Sequence, residues 1–554
     1  MRGLRLRRLT GVALALVLLC GAWPPRAEAQ SKAQASKAPG GPARWRAALA
    51  RVTADDLRTH LKYIASDELE GRKTPSRGLD LAAEYIAKQF RAAGLEPVGD
   101  DGYFQTANWR LSARDAAAFR LNFSGGPAPA PSVAPEQLGV GFSVAGFNFW
   151  EPAGDIALSG ARLFKVDYAN ASAAVTREQV EGRVVVTELP AFPRGDMGRA
   201  LQLLREENEF LARMRGLGAP LVLAFERRSE RARGGRSPRV FDPERRGAGG
   251  QTPDFGFGDA QAAPVVYVYG ASAARFYDAL PAGDTQAAAD VRIPAPTETP
   301  VKVRNVVGVL RGSDPALKGT YLIVSAHYDH LGVRENCDAS KEDCVFNGAN
   351  DDGSGTVGVI ELASALSKLS PRPKRSILFM TFFGEESGGL GSRYYTRHPL
   401  VPLEKTVAQV NLEQIGRTDD SEGPQVGTLA VTGFDYSDVG ATLQGAGEVE
   451  GVKVYKHPTK SDAYFSRSDN QSLADAGVPA HTAGVAFEFP DYHAVGDEWQ
   501  KIDYVNMERV VRTVGRALLA LADSAVEPRW NEQNPKAARY VEAWKKLHGE
   551  SRRA

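Results

Sequence analysis

With three cysteines in 554 residues, the chain cannot build the dense disulfide framework of small exported domains, nor a four-thiolate zinc site. Cys20 lies in an apolar stretch near the start. Cys337 and Cys344 share the loop-like ENCDASKEDC, whose spacing is not that of a zinc thiolate pair, and a local disulfide between them is expected if the protein is exported. Charge of one sign is also lacking. Lys and Arg number 68 against 67 Asp and Glu, which gives no electrostatic reason to expect nucleic acid as a partner. The sequence has no internal repeat, which excludes a solenoid. Its one apolar run of signal length, TGVALALVLLCGAW, follows the basic MRGLRLRR and precedes Ala27-Glu28-Ala29. That is the pattern of a cleavable secretory signal over residues 1–29, so the expected location is secreted or periplasmic, with no stable membrane insertion afterwards.

What remains is long enough for two or three domains. Residues 30–44 are small, polar and aperiodic and read as a flexible leader. Residues 45–130 open a first domain with two amphipathic helices. Thr53 and Asp56 form a capping box ahead of ADDLRTHLKYIA, with Leu57, Leu61 and Ile64 on one face. GLDLAAEYIAKQFRAAG places Leu79, Ala82, Ile86 and Phe90 on one face and stops at Gly94. Residues 131–295 change texture: GRVVVTEL, APLVLAF and APVVYVYG are short β-rich pieces among Gly, Pro and Arg, with one helix, MGRALQLLREENEFLARMRGLG. They read as a small inserted domain, and their Arg- and Gly-rich segment ERRSERARGGRSPRVFDPERRGAGG as a solvated loop.

From 296 to 525 strands and helices alternate: NVVGVLRG, TYLIVSAHYDH, GTVGVIELASALSKL, SILFMTFF, TVAQVNLEQIG and the closing helix YVNMERVVRTVGRALLALADS. Near-continuous apolar strands between amphipathic helices predict an α/β fold, a mostly parallel mixed sheet flanked by helices. Residues 526–554 form a C-terminal extension.

In such sheets ligands bind outside the carboxyl ends of the strands. Polar clusters recur there: His327-Tyr328-Asp329-His330, Glu385-Glu386 and Glu413 each follow an apolar run. Asn350-Asp351-Asp352-Gly353 sits just before a helix, and His493 lies in the late loop DYHAVGDEWQKID. Imidazole and carboxylate groups converging on one edge suggest a metal site suited to zinc.

SAHYDHLG, NGANDDGSGT, FFGEESGGLGS, VNLEQIGR and YHAVGDE, in that order, with IASDELEGR upstream, resemble the co-catalytic dizinc aminopeptidase family. That family also holds glutamate carboxypeptidase, glutaminyl cyclase and the transferrin receptor. The resemblance covers about residues 50–130 and 300–525, and the insert resembles a protease-associated domain. It implies an aminopeptidase acting on peptides with a free N-terminus, with two zinc ions or, in their place, cobalt or manganese. His327 and Glu413 would hold one ion, Glu386 and His493 the other, and Asp351 both. Glu385 would be the general base, Tyr492 a donor to the developing oxyanion, and Asp329 the carboxylate that orients His327. His330, Asp352 and Asp469 read as support or turn residues. The chain departs from many relatives at Glu413, where they carry Asp; the carboxylate is kept on a side chain one methylene longer. A glutaminyl cyclase, a carboxypeptidase and a non-catalytic receptor-like protein are the alternatives.

Overall fold

The local signals at the start of the domain hold in the computed structural model. It describes residues 41–549 apart from 141, 145–146, 151–153, 169–174, 191–196, 228–238, 242–263 and 335–336. The expected signal at 1–29, and the Arg- and Gly-rich segment except for Glu226, Arg227 and the strand Arg239–Phe241, lie outside the described residues. A helix, Gly41–Leu49, begins inside the expected leader, with Pro42 in its first turn, where a missing N–H costs nothing. Thr53 caps Ala54–Ile64 by accepting from Asp56 N, and Leu57, Leu61 and Ile64 are buried. Arg77–Ala93 ends on Gly94 in the left-handed region and buries Leu79, Ala82, Ile86 and Phe90.

Among the described residues the main sheet has ten strands and is mixed. Parallel pairing joins Ser376–Phe382, Tyr321–His327, Thr406–Leu412 and Ala480–Gly484 in its centre. Antiparallel pairing adds Thr297–Leu310 on one flank and Thr428–Val431 on the other. The central strands, apart from the half-exposed Tyr321, are buried along their whole length, which is why they read as unbroken apolar runs. The helices Ala54–Ile64, Arg77–Ala93, Gly355–Leu366 and Tyr504–Asp523 pack into the core on this sheet. A second apolar cluster brings in the C-terminal segment through Trp530, Tyr540 and Val541.

A seven-stranded sheet is built from residues between 120 and 293. Its parallel centre is Ile156–Lys165, Val184–Glu188, Val222–Glu226 and Val265–Tyr269, and it has its own cores. The strand Arg239–Phe241 leaves that sheet and pairs antiparallel with Phe104–Ala113 of the main one. No helix among the described residues is long and apolar enough to cross a membrane.

In-register parallel pairing decides where the site falls. His327 lies opposite Phe382, and Ser325 opposite Asn411, so three strands end together. The residues that follow, including Glu385, Glu386 and Glu413, therefore emerge at one edge.

Candidate metal centre

Each polar cluster is fixed by the backbone around it. Asp352 Oδ1 accepts from Gly355 N (3.0 Å) and Gln414 N (3.2 Å), and its Oδ2 from His327 N (3.3 Å). One carboxylate thus ties together the end of the His327 strand, a helix start and the residue after Glu413. Only glycine fits at 355, because a Cβ there would stand 2.4 Å from Asp352 Oδ2. Asp497 makes a second tie: its carboxylate accepts from Asn350 N and Asp351 N, each at 3.0 Å. Asn350 Oδ1 in turn accepts from Gly416 N and Arg417 N at 2.8 Å. Asp497 shares a loop with His493, so the His493, Asp351 and Glu413 segments are braced against one another.

Arg72, wholly buried, is the third brace. It donates from Nε to Tyr328 O (2.8 Å), from Nη1 to Asn347 O (2.7 Å) and Ile64 O, and from Nη2 to Gly348 O (3.0 Å). Burial lowers its pKa to about 10, opposed by Asp329, Asp497, Asp352 and Asp351, so it stays cationic at neutral pH. Sequence reasoning did not single out Arg72 or Asp497, although both lie inside quoted motifs.

These braces bring His327, Asp351 and Glu413 into one group whose ligand atoms lie within 4.8 Å of one another. A second such group is His330, Asp351 and Glu386, so Asp351 belongs to both. His493 Nε2 stands 3.2 Å from Asp351 Oδ2 and 3.2 Å from Glu386 Oε2. Its backbone φ of 54° is costly for a non-glycine residue, and the loop holds it there. Tyr492 stacks on His493 with ring centroids 4.0 Å apart and is 37% exposed, at the rim.

His327 Nδ1 lies 3.2 Å from the carbonyl oxygen of Asp329 and 3.6 Å from that residue's carboxylate. The main chain of Asp329, rather than its side chain, is the nearer partner. Its Oδ1 instead accepts from Glu385 N at 3.0 Å. A carbonyl only accepts, so the His327 proton sits on Nδ1 and the Nε2 lone pair faces outward. That lone pair is 3.3 Å from Asp351 Oδ1.

The donor set fits a cation. His327 Nε2, His493 Nε2, Glu386 Oε1 and Glu413 Oε2 have no hydrogen-bond partner among the described residues, though all are shielded from solvent. Lone pairs crowded in this way repel unless a positive charge lies among them. Ligands of one zinc, each about 2.0–2.2 Å from it, stand about 3 Å apart, and the separations here are 3.2–3.3 Å.

The adjacent glutamates are shifted in opposite directions. Burial pushes the Glu385 carboxyl well above the usual range; His327 opposes this, while Glu413, Glu386 and Asp469 add to it. Burial acts on Glu386 in the same direction, but His493 and His330 outweigh it and hold that carboxyl at about 2. Cys337 and Cys344 form a disulfide. Of the remaining histidines, His60 contacts Tyr85 and Glu361, and His481 contacts Ser437 and Thr432, all away from this group.

Comparison with known proteins agrees with this architecture. The chain resembles an aminopeptidase from Aneurinibacillus sp. strain AM-1, with 19% identity and a TM-score of 0.53, over 87% of this chain and 99% of that one. At that identity the likeness concerns the fold. It is 25% identical over 272 residues to a probable zinc metalloprotease of Pyricularia oryzae, covering 42% of this chain and 52% of the relative. It is 25% identical over 285 residues to the aminopeptidase NAALADL1 of Mus musculus, covering 45% of this chain and 35% of the relative. The chain thus spans about half or less of these two curated relatives' length. Residues 305–518 match the family model of peptidase family M28. That stretch carries His327, Asp351, Glu385, Glu386, Glu413, Tyr492 and His493, so the residues of the metal centre lie in the part of the chain that resembles peptidase family M28.

Proposed function

We propose that this protein is an exported zinc-dependent aminopeptidase that removes N-terminal residues from peptides. The observation that carries the reading is Asp351, shared between two groups of metal-binding side chains. In this reading His327, Asp351 and Glu413 hold one zinc ion, and Asp351, Glu386 and His493 hold the other. Bound there, the ions would polarise the scissile carbonyl and acidify the attacking water. Glu385 is the base. Burial raises its proton affinity above that of an ordinary carboxylate, which favours a role in taking up a proton. A carboxylate oxygen of Glu385 takes the proton from the water and later delivers it to the nitrogen of the leaving amine. Tyr492, at the rim beside His493, donates from Oη to the carbonyl oxygen as charge develops on it. Asp352, Asp497 and Arg72 keep the loops from relaxing when charge moves. The sheet of residues 120–293 is read as the inserted domain.

The test is a panel of aminoacyl substrates with free and blocked N-termini, assayed with and without chelator. Hydrolysis of the free-amine substrates alone, abolished by chelation and restored by zinc, is expected. Equal hydrolysis of blocked substrates, or ammonia release from N-terminal glutamine without peptide cleavage, would overturn the assignment.

A further inference from the structure

His330 follows His327 by three residues, where sequence reasoning gives it only a supporting role. The residue is 1% exposed, and Nδ1 stands 2.9 Å from Glu386 Oε1. Neither atom meets hydrogen-bond geometry with a partner among the described residues, although the two are close enough for His330 to help hold the Glu386 carboxyl down. The ring is pinned. Its backbone N donates to Arg72 O (3.2 Å), and a Cβ at Gly348 would stand 2.4 Å from its Cγ, so the imidazole rests directly on the Gly348 backbone. The His493 ring meets it edge-on, with centroids 5.8 Å apart. Ligand atoms of His330, Asp351 and Glu386 lie within 4.8 Å of one another. A buried imidazole nitrogen set against a carboxylate oxygen, at the spacing of two ligands of one ion, calls for a cation between them.

We propose that His330 Nδ1 is a ligand of the ion on the Glu386 side, which then has four protein side chains: Asp351, Glu386, His493 and His330. The ion on the other side has three, His327, Asp351 and Glu413. This inference rests on the two-ion reading above and adds an asymmetry to it. The Glu386-side ion is the more firmly held, and His330 is what makes it so.

The test is proton NMR of the cobalt(II)-loaded protein, in which each ligated imidazole contributes one strongly shifted, solvent-exchangeable ring N–H signal. Three such signals are expected in the wild type and two in His330→Gln. The variant should also give up one cobalt at least about tenfold more readily on dialysis. Two signals in the wild type, both retained in His330→Gln, would overturn the proposal. If the variant does not fold by circular dichroism, the wild-type count decides alone, three against two. Elemental analysis of the same wild-type sample checks the two-ion reading separately. Fewer than two cobalt equivalents would defeat that reading, while a ring signal lost on substitution would still support His330 as a ligand.

Discussion

Replacing Arg72 with Met should loosen the site without touching any residue assigned to chemistry. The guanidinium makes four hydrogen bonds, to the carbonyls of Tyr328, Ile64, Asn347 and Gly348. Bonds from a charged donor contribute about 1.5–3 kcal/mol each. The simple sum overstates the loss, because the four bonds share one side chain and are not independent. A loss of about 4–6 kcal/mol is expected, a large part of the about 5–15 kcal/mol that stabilises a typical domain. Apolar replacement of a buried ion pair can be harmless when both partners go. Here the acceptors are main-chain groups that remain buried, so Met cannot compensate. Arg72→Lys keeps the charge but not the fork, and should fall between the two. Urea unfolding of the three proteins gives the stabilities, and dialysis against chelator gives zinc retention, which should fall in parallel because Tyr328 and Gly348 flank metal-site loops. A loss below about 1 kcal/mol for Arg72→Met, with zinc retained, would refute the bracing argument.

Asp351→Ala should lower zinc occupancy at both positions together; two full equivalents by elemental analysis would contradict its shared role. Asp497→Asn keeps an acceptor for Asn350 N but loses the charge, so zinc affinity should drop by about tenfold with the fold intact; unchanged affinity by competition with a chelating dye would count against it. His481 is buried, with Nε2 2.6 Å from Ser437 Oγ and Nδ1 2.9 Å from Thr432 O, and burial lowers its pKa from 6.5 to about 4. The unfolded ring gains its proton first, so this contribution is whole above pH 6.5 and diminishes as pH falls toward about 4, by up to about 3 kcal/mol. His481→Gln should flatten that part of the acid-unfolding profile, and an unchanged slope would contradict the assignment.

The strand-end clusters were legible because each directly follows a buried apolar run, and the parallel centre of the sheet aligns those runs at one edge. Thr53, Gly94 and the helical faces were equally plain, since caps and periodicity are local. Asp329 was expected to act on His327 through its carboxylate, which lies 3.6 Å from Nδ1; its carbonyl is nearer at 3.2 Å, and the carboxylate also holds the turn at Glu385. Periodicity and spacing do not say which of a residue's groups points where. Arg72 reaches Asn347 and Gly348 across more than 270 positions of chain, and Asp497 reaches Asn350 across 147. Such ties depend on loop packing and leave no local pattern. The strand Arg239–Phe241 joining the main sheet is of the same kind: three residues amid Arg and Gly carry no strand signature of their own.

The most direct test of the account is zinc content and turnover measured on one preparation of Glu385→Gln. Gln keeps the shape, and Glu385 is no ligand in this reading, so zinc should match the wild type. Turnover should fall by about 10²–10⁴-fold with the proton carrier gone. Near-normal turnover at full zinc content would show that the proton moves through another group, and the division of duties between Glu385 and Glu386 would be wrong.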